Sequence, residues 1–320
     1  MTKLLQEYLS STSYLKRCEE ARGFKHLWAI YCDKGGVTKS MSALLNANKA
    51  RDNDNLVTAL ADGDLMNQDL FNVNGSLGED GLKLKPEQNN PVEGCITFNG
   101  ADMNKASEVI LPLIESVSPD RIILDFPGLG DKNLSHMIGK TFTAEELVEM
   151  LKEFGFVLDI AFPIIGKADN TEWKNALRSA RRIVDQYGHL DVHFWAHLGK
   201  WDGATLNDDA DPGFKYWFDD PLRQALMETY GFHEIKVPRI PDLVMPKLAN
   251  IPVRFSNFFD QEYVKAYNEV ATAYNQQNED EKNKMETIDV RARFAIQKFC
   301  KQYDEQINAD PYLKEFFGIA

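Results

Sequence analysis

The chain has 320 residues, and 43% of them are apolar, which is enough for one large core or for a large domain with an appendage. Thirty-six basic and 49 acidic residues give a net charge of −13, which excludes a surface that is basic throughout. There is no uninterrupted apolar run of roughly 18 residues, so an ordinary transmembrane helix is not expected.

The first half of the chain alternates strand and helix patterns. Apolar spacing over 3–22 predicts a short helical lead-in, and the apolar run "HLWAIYC" at 26–32 predicts a buried strand. After a glycine loop, 39–50 has helical composition, and "NLVTALADGD" at 55–64 predicts a strand that ends in acidic residues. The polar stretch 72–94, rich in Asn and Gly, predicts a long loop.

The alternation continues to residue 240, and alternation of this kind predicts βαβ units with a buried parallel sheet. From about 258 onward, long charged helical segments follow with no further strand pattern. The predicted elements are a helix at 106–117, strands at 120–130 and 155–165, a helix at 169–188, a strand at 190–198, a helix at 219–230 and a strand at 233–240.

The predicted fold is a three-layer α/β domain: a mostly parallel twisted sheet with helices on both faces and a C-terminal helical extension. We expect a helical N-terminal lead-in at 1–25, a main domain at 26–255 and an extension packed on the core at 256–320. The charged helices of the extension are most simply a solvated surface over an apolar stripe. The charged N-terminus lacks the apolar core of a signal peptide, so a cytoplasmic protein is expected.

The loop after the first strand has the sequence K-G-G-x-x-K-S, from Lys34 to Ser40. This pattern has a chance of roughly one in a thousand in an arbitrary sequence of average composition. A loop between a strand and a helix is where backbone N–H groups converge on a phosphate, and glycine lets the chain curl closely around it. In an ordinary phosphate loop, Lys39 would meet the phosphates and Ser40 would bind Mg²⁺, which leaves Lys34 unexplained. The alternative is a glycine turn with solvated lysines.

This motif resembles the deviant Walker A motif of the ParA/MinD ATPases. The resemblance implies that Lys39 serves the subunit's own ATP, whereas Lys34 reaches across a nucleotide-sandwich dimer to the partner's phosphates. It also implies ATP and Mg²⁺ as cofactors and a homodimer that forms on ATP binding. The implied nucleotide-binding residues of this loop are Gly35, Gly36, Val37, Thr38, Lys39, Ser40 and Met41.

Two further segments resemble the same family in the same order. "ADGDLMNQ" is similar to the family's D-x-D-P-Q-G-N switch, which implies that Asp62 lies near Mg²⁺ and that Asp64 orients the attacking water. "RIILDFPGLG" looks like the family's Walker B strand. This resemblance implies that Asp125 lies near Mg²⁺, together with Ser40 and Asp62. The alternatives are an acidic turn at Asp62 and Asp64, and a structural carboxylate at Asp125 that neighbouring amides satisfy.

A later segment, "IKVPRIPDLVMPKL", is similar to a family strand whose following loop packs on adenine, and Pro238 and Arg239 match it. The sequence also departs from the family: Thr38 replaces a glycine, and Leu65 and Met66 replace the switch's proline and glutamine. These departures make slow or altered hydrolysis plausible. A redox protein on the same scaffold would need a cysteine near residue 131, and none is there.

Histidines and arginines in the second half have simpler interpretations. His189, His193 and His197 are spaced by four, but the alternation around them indicates a strand, so buried or edge histidines are expected rather than metal ligands. The local basic patch of Arg178, Arg181 and Arg182 is either a solvated helix face or a contact with DNA or a partner. The four scattered cysteines, Cys18, Cys32, Cys95 and Cys300, are expected as reduced thiols.

The function predicted from these features is a Mg²⁺–ATP-dependent dimerisation switch with slow hydrolysis, used in partition or positioning of DNA or another large cargo. Its expected partners are a second copy of the chain and a protein adaptor or stimulating partner. The alternative is a nucleotide-binding accessory factor of a plasmid-maintenance or conjugation complex with little or no ATP turnover. The acidic charge favours protein partners over bare DNA.

Overall fold

The computed structural model describes residues 23–32, 39–78, 83–128, 134–166, 172–201, 212–240, 244, 251, 253–277 and 284–319. The predicted lead-in helix at 3–22 and the loop residues from Lys34 to Thr38 lie outside these described residues. Among the described helices, none has the length and apolar character needed to cross a membrane.

Seven strands of the described chain form one sheet in the order β3-β2-β4-β1-β5-β6-β7, and every neighbouring pair is parallel. With its helices around it, the sheet confirms the predicted three-layer α/β class. The strands are β1 (Lys25–Ile30), β2 (Thr58–Asp62), β3 (Ile96–Thr97), β4 (Arg121–Asp125), β5 (Phe156–Ile165), β6 (Val192–Trp201) and β7 (Gly231–Pro238).

The helices between the strands are the crossovers that parallel strands require. The C-terminal helices follow after the last strand. In chain order they are α1 (Lys39–Arg51), α2 (Asp69–Asn74), α3 (Met103–Pro112), α4 (Leu134–Gly139), α5 (Ala144–Glu153), α6 (Glu172–Tyr187), α7 (Lys215–Phe218), α8 (Pro221–Thr229), α9 (Gln261–Gln277), α10 (Val290–Ile307) and α11 (Pro311–Phe316).

The direction of the crossovers decides which helix covers which face. From β1 to β3 the chain moves toward one edge of the sheet, and from β3 to β7 it moves back toward the other. Right-handed crossovers therefore place α1 and α2 on one face and α3 to α8 on the opposite face. This leaves β5, β6 and β7 without a crossover helix on the α1 face, and α10 and α11 cover them there.

Several contacts fix the C-terminal helices beside α1. Tyr303 of α10 donates a hydrogen bond to the amide oxygen of Asn46 in α1, and Lys49 forms a 2.7 Å ion pair with Asp304. Tyr312 and Phe317 of the last segment are fully buried in the same apolar cluster as the sheet. The long C-terminal helices thus pack an apolar stripe against the core and leave much of their remaining surface exposed.

Beneath α11, the sheet carries a buried polar network around Asp159 of β5. Its Oδ2 lies 2.8 Å from Nδ1 of His26, while Oδ1 accepts 2.8 Å hydrogen bonds from Trp195 Nε1 and the Tyr312 hydroxyl. The ring of Tyr312 also stacks on His193 at a centroid distance of 4.0 Å. Both oxygens of the buried carboxylate are therefore satisfied, and His26 Nε2 is the one polar atom of these four side chains without a described hydrogen-bond partner.

Two of the three histidines lie in a strand and are buried, as predicted. His193 and His197 lie in β6, where His193 is 5% exposed and His197 is fully buried. His189 lies in the turn before the strand, and its Nε2 is 2.8 Å from Glu145 Oε1. Cys32, Cys95 and Cys300 are free thiols, as expected.

The structure also differs from the sequence prediction in places. Sequence analysis did not predict α4 or α5, although α5 begins with a capping box in which Thr143 and Glu146 bond each other's backbone N–H groups. The last long helix begins only at Val290, because Asp289 caps it by accepting a hydrogen bond from Ala292 N. The predicted helix through Pro112 is present, but it continues as a π-helical turn over Leu113–Val117.

Candidate functional site

The first turn of α1 places two predicted site residues at the carboxyl edge of the sheet. Lys39 and Ser40 begin α1, directly after the loop that follows β1, and Lys39 is only 5% exposed. No acidic residue lies in this first turn. A buried cation at the positive end of a helix is unfavourable by itself, so this helix start is suited to an anion.

Asp125 ends β4, the neighbour of β1, and is fully buried. Neither of its carboxylate oxygens accepts a hydrogen bond from the described residues by geometric criteria. Burial and then the charge of Asp62 raise its pKa well above the usual range, and nearby Lys39 and Ser40 oppose the shift. Because an unsatisfied buried carboxylate is costly, and no described amide bonds Asp125, the described residues give no support to the alternative of a structural carboxylate held by amides.

Asp62 ends β2 directly opposite Asp125 in the strand register. Its two oxygens accept 3.0 Å hydrogen bonds from the backbone N–H groups of Asp64 and Phe71. Burial raises the pKa of Asp62 to about 7 although these two hydrogen bonds lower it. Asp62 therefore holds the segment between β2 and α2 in place through these hydrogen bonds. It also lies next to Asp125 on the neighbouring strand.

Asp64 lies two residues later and is partly buried. Its oxygens accept hydrogen bonds from Met66 N at 3.1 Å and from Asn67 Nδ2 at 3.0 Å. The intervening turn exposes its apolar side chains: Met66 is 91% and Leu65 is 47% exposed. In this conformation Asp64 stabilises an acidic turn, because both of its oxygens accept hydrogen bonds from residues of that turn.

Asp69 is a residue beside the candidate site that sequence reasoning missed. It is the first residue of α2, and the Ser40 hydroxyl lies close enough to influence its pKa. Burial, followed by the nearby charge of Asp64, raises its pKa. The only sequence signal was a further carboxylate seven residues after Asp62, at a position outside the switch pattern.

A metal ion and a nucleotide can be tested against these residues. No three His, Cys, Asp or Glu side chains within the described ranges are arranged to hold a metal ion by themselves. Yet Asp125 offers two unsatisfied oxygens, and the Ser40 hydroxyl lies close enough to influence its pKa. Mg²⁺ is commonly bound by one or two carboxylates, water and phosphate oxygens rather than by a cage of protein ligands. The residues therefore fit Mg²⁺ that arrives with a phosphate ligand.

The remaining predicted nucleotide contacts are more widely separated. Met41 is buried in the first turn of α1, next to Ser40. Pro238 ends β7 at the sheet edge, with β5 and β6 between it and β1, and Arg239 after it is exposed. Pro238 and Arg239 thus share the carboxyl edge with Lys39 but not its immediate surroundings.

The predicted basic patch on α6 is partly engaged within the protein. Arg181 donates to both oxygens of Asp220 at 2.9 and 2.8 Å. Arg182 donates to the Tyr31 hydroxyl at 2.5 Å, which ties α6 to the end of β1. Arg178 is exposed. Of the three arginines, Arg178 is the one that makes neither of these hydrogen bonds. A contact between this patch and DNA stays a prediction.

Two described cavities lie away from this edge. A cavity of about 480 Å³ includes Arg51 and Arg254 in its lining, and a smaller one of about 230 Å³ includes Cys300 and Tyr303. Both adjoin the C-terminal half of α1, whereas Lys39 and Ser40 are at its N-terminus. Among the described residues, the candidate site is recognised by its charges and hydrogen bonds.

No protein-family model matches the chain, and no curated protein matches its sequence significantly. Among solved structures, it is similar to a ParA family ATPase from Chlorobium tepidum TLS, with 14% identity and a TM-score of 0.43 over 76% of this chain and 92% of that chain. It is also similar to the cell division protein MinD from Aquifex aeolicus, with 13% identity and a TM-score of 0.40 over 80% and 98% of the two chains.

A third similar structure is a putative plasmid partition protein from Borrelia burgdorferi B31 bound to AMPPNP. Its identity is 13% and its TM-score is 0.34, over 80% of this chain and the whole of that one. The solved structures similar to this chain thus include members of the family that its sequence resembles.

Proposed function

We propose that this protein is a Mg²⁺–ATP-dependent dimerisation switch with slow ATP hydrolysis. One observation carries the proposal: the fully buried, unsatisfied carboxylate of Asp125 lies at the same edge as Lys39 and Ser40, at the start of α1. A cation at a helix N-terminus favours phosphate, and an unsatisfied carboxylate beside it favours a cation that the phosphate brings. The K-G-G-x-x-K-S spacing from Lys34 to Ser40 supports the same ligand.

In this proposal, each residue has a defined role. Lys39 holds the β- and γ-phosphates, and Ser40, Asp62 and Asp125 hold Mg²⁺. Bound Mg²⁺ supplies charge neutralisation at the phosphates. The phosphates are also bound by the loop backbone and α1 start, and the base lies toward Pro238 and Arg239. The loop and helix residues concerned are Gly35, Gly36, Val37, Thr38, Lys39, Ser40 and Met41.

Hydrolysis in this site would depend on positioning more than on acid–base chemistry. Asp64 orients the attacking water with the lone pairs that its hydrogen bonds from Met66 N and Asn67 Nδ2 leave open. The departures at Thr38, Leu65 and Met66 from the family pattern support slow turnover. The proposed biological use is partition or positioning of DNA or another large cargo in the cytoplasm, together with a protein adaptor and possible DNA contact through the α6 arginines.

A second candidate function is a nucleotide-dependent accessory factor, for example of a plasmid-maintenance or conjugation complex, that hydrolyses little ATP. The engaged state of Asp64 favours this candidate, because both of its oxygens are bonded within its own turn. ATP turnover measured with and without DNA separates the two functions. Turnover that DNA or an adaptor stimulates supports the switch, and ATP binding without turnover under every condition supports the accessory factor.

The dimerisation switch is tested by comparing Lys34→Ala with Lys39→Ala in sedimentation runs with ATP and with a slowly hydrolysed analogue. If Lys34 acts across an interface, Lys34→Ala binds ATP as a monomer and fails to dimerise, because two facing γ-phosphates then have less countercharge. Its hydrolysis also falls, since a charge supplied by the partner is lost from the transition state. A normal ATP-induced dimer of the variant, or a parent protein that never dimerises with nucleotide, contradicts the proposal.

A further inference from the structure

Two arginines line the cavity of about 480 Å³ that adjoins the C-terminal end of α1. Arg51 belongs to the last turn of α1 and is 8% exposed, and Arg254 is half-buried. Neither guanidinium forms an ion pair with a carboxylate of the described residues. Burial and then the charge of Arg254 lower the pKa of Arg51 to about 10. Two neighbouring cations without a bonded carboxylate favour an anionic group between them.

The described hydrogen bonds of Arg51 all come from one of its nitrogens. Nη2 donates to the carbonyl oxygens of Pro91, Val92 and Gly94 at 2.9, 2.7 and 2.5 Å, and these bonds hold the loop before β3. Nε and Nη1 are buried and donate to no described residue. The structural role of Arg51 therefore uses Nη2 and leaves three N–H groups without an acceptor, one on Nε and two on Nη1.

A buried acceptor belongs to the lining of the same cavity. Asn74 of α2 is 5% exposed, and its Nδ2 donates to Leu70 O at 3.2 Å. Its Oδ1 accepts no hydrogen bond from the described residues. Buried polar atoms without a partner are rare in native proteins, and beside a cavity they indicate a place for water, an ion or a ligand. The cavity therefore offers a ligand both buried donors and a buried acceptor.

The exposed part of the lining, which we call the rim, has the opposite charge. Its carboxylates are Asp52, Asp54 and Glu93, and Leu77 and Tyr263 add apolar surface beside them. A rim of this kind repels a simple anion and attracts a cation. The ligand that matches both parts of the lining carries an anionic group for the arginines and a cationic group for the rim.

We propose that this cavity binds a small zwitterion, of the chemical class of a free α-amino acid with an apolar side chain. Arg51 and Arg254 bind its carboxylate through charge-assisted hydrogen bonds. Its ammonium donates to Asn74 Oδ1 and is attracted by the carboxylates of the rim, while its side chain packs on Leu77 and Tyr263. Small-molecule sites commonly have volumes of roughly 300 to 1,000 Å³, so the cavity is large enough. This site lies at the other end of α1 from Lys39 and does not depend on the proposed nucleotide site.

The ligand class is tested by calorimetric titration with L-leucine and with two analogues that each lack one of its charges. 4-Methylpentanoate lacks the ammonium, and leucine methyl ester lacks the carboxylate. We expect leucine to bind and each analogue to bind at least roughly tenfold more weakly, because each loses a charge-assisted hydrogen bond. Inorganic phosphate should bind more weakly than leucine as well, because it has no cationic group for the rim. If 4-methylpentanoate or phosphate binds as tightly as leucine, or if leucine does not bind, the proposal is wrong.

Arg254→Gln tests the residues, because a change of Arg51 would also release the loop before β3. This variant keeps a hydrogen-bonding side chain but removes the charge, so it should bind leucine roughly tenfold or more weakly while its thermal unfolding stays that of the parent. Arg291→Gln is the matched control, since Arg291 is exposed in the first turn of α10 and lies outside the cavity lining. It should bind leucine like the parent. Parent-like affinity in Arg254→Gln, or an equal loss in Arg291→Gln, would overturn the assignment.

Discussion

Two fully buried aspartates, on the strands that flank β1, have opposite surroundings. Asp159 of β5 is bonded to His26, Trp195 and Tyr312, and both of its oxygens are satisfied. Asp125 of β4 has two oxygens that accept no hydrogen bond from the described residues. The same sheet thus holds one carboxylate whose hydrogen bonds come from protein side chains and one that receives none from the described residues.

The two pKa values move in opposite directions for this reason. Burial by itself would raise the pKa of Asp159, but the charges of His26 and His193 and the hydrogen bonds of His26 and Tyr312 together outweigh it, and the pKa is lowered. Burial and the charge of Asp62 raise the pKa of Asp125. Burial alone therefore does not distinguish a structural carboxylate from a ligand-binding one; the completeness of its hydrogen bonds does.

The largest expected effect is a loss of ATP affinity at the candidate site that contains Asp125. Lys39→Ala should abolish measurable ATP binding, a loss of roughly a hundredfold or more, because the phosphates lose their intramolecular point charge. The fold should persist, since the change removes a cation from the positive end of α1. Titration with a fluorescent ATP analogue measures the affinity, and thermal unfolding checks the fold.

Lys49→Ala is the matched control for this variant. Lys49 lies in the last turn of the same helix and pairs with Asp304. It should bind ATP like the parent. Undiminished affinity in Lys39→Ala would remove the start of α1 from the nucleotide site.

Loss of the Asp159 carboxylate, which is hydrogen-bonded within the core, should greatly reduce the free energy of unfolding. Asp159→Ala leaves His26, Trp195 and the Tyr312 hydroxyl without their buried acceptor, which should cost about 3–5 kcal/mol. Asp191→Ala serves as a control, because it breaks only the exposed pair with Lys152 and should cost less than about 1 kcal/mol. Urea unfolding measures both. Equal effects of the two changes would show that the Asp159 network contributes no special stability.

A smaller, pH-dependent effect is expected at His197, whose two ring nitrogens have no described partner. Burial lowers its pKa from 6.5 to about 3. The folded state therefore excludes a proton that the unfolded chain accepts, so stability is full above pH 6.5 and is lost as the pH falls toward the folded value. His197→Phe should gain about 2 kcal/mol relative to the parent near pH 5 and little at neutral pH. Unfolding curves with the same pH dependence for both proteins would contradict this.

The sheet and much of the site could be predicted from sequence because both depend on local signals. The strands are continuous apolar runs, and the acidic residues after β2 and within β4 must meet, since the carboxyl ends of parallel strands share one edge. The meeting of Asp62 and Asp125 in register agrees with that expectation. The helix after the glycine loop could be predicted because Lys39 and Ser40 begin an unbroken segment of helical composition.

Other features depend on contacts that no local pattern shows. The proximity of Asp69 to Ser40 brings residues of two helices together, and the left-handed Gln68 before α2 is not a glycine. The role of α11 follows from the uncovered face beside α1, which only the complete strand order reveals. For the same reason, the charged pattern of the C-terminal segment predicted a solvated surface over an apolar stripe but not that Tyr312 and its neighbours are fully buried beside the sheet.

The central claim, that Asp125 is left for a ligand, is tested most directly by the melting temperature of Asp125→Asn with and without Mg²⁺–ATP. Because the native state retains the Asp125 proton at higher pH than the unfolded chain does, the ionised carboxylate costs stability as the pH rises. The variant should therefore melt at or above the parent's temperature without ligand, and it should lose the upward shift that Mg²⁺–ATP gives the parent. A variant that is destabilised as strongly as Asp159→Ala, yet keeps the full shift with Mg²⁺–ATP, would contradict the claim.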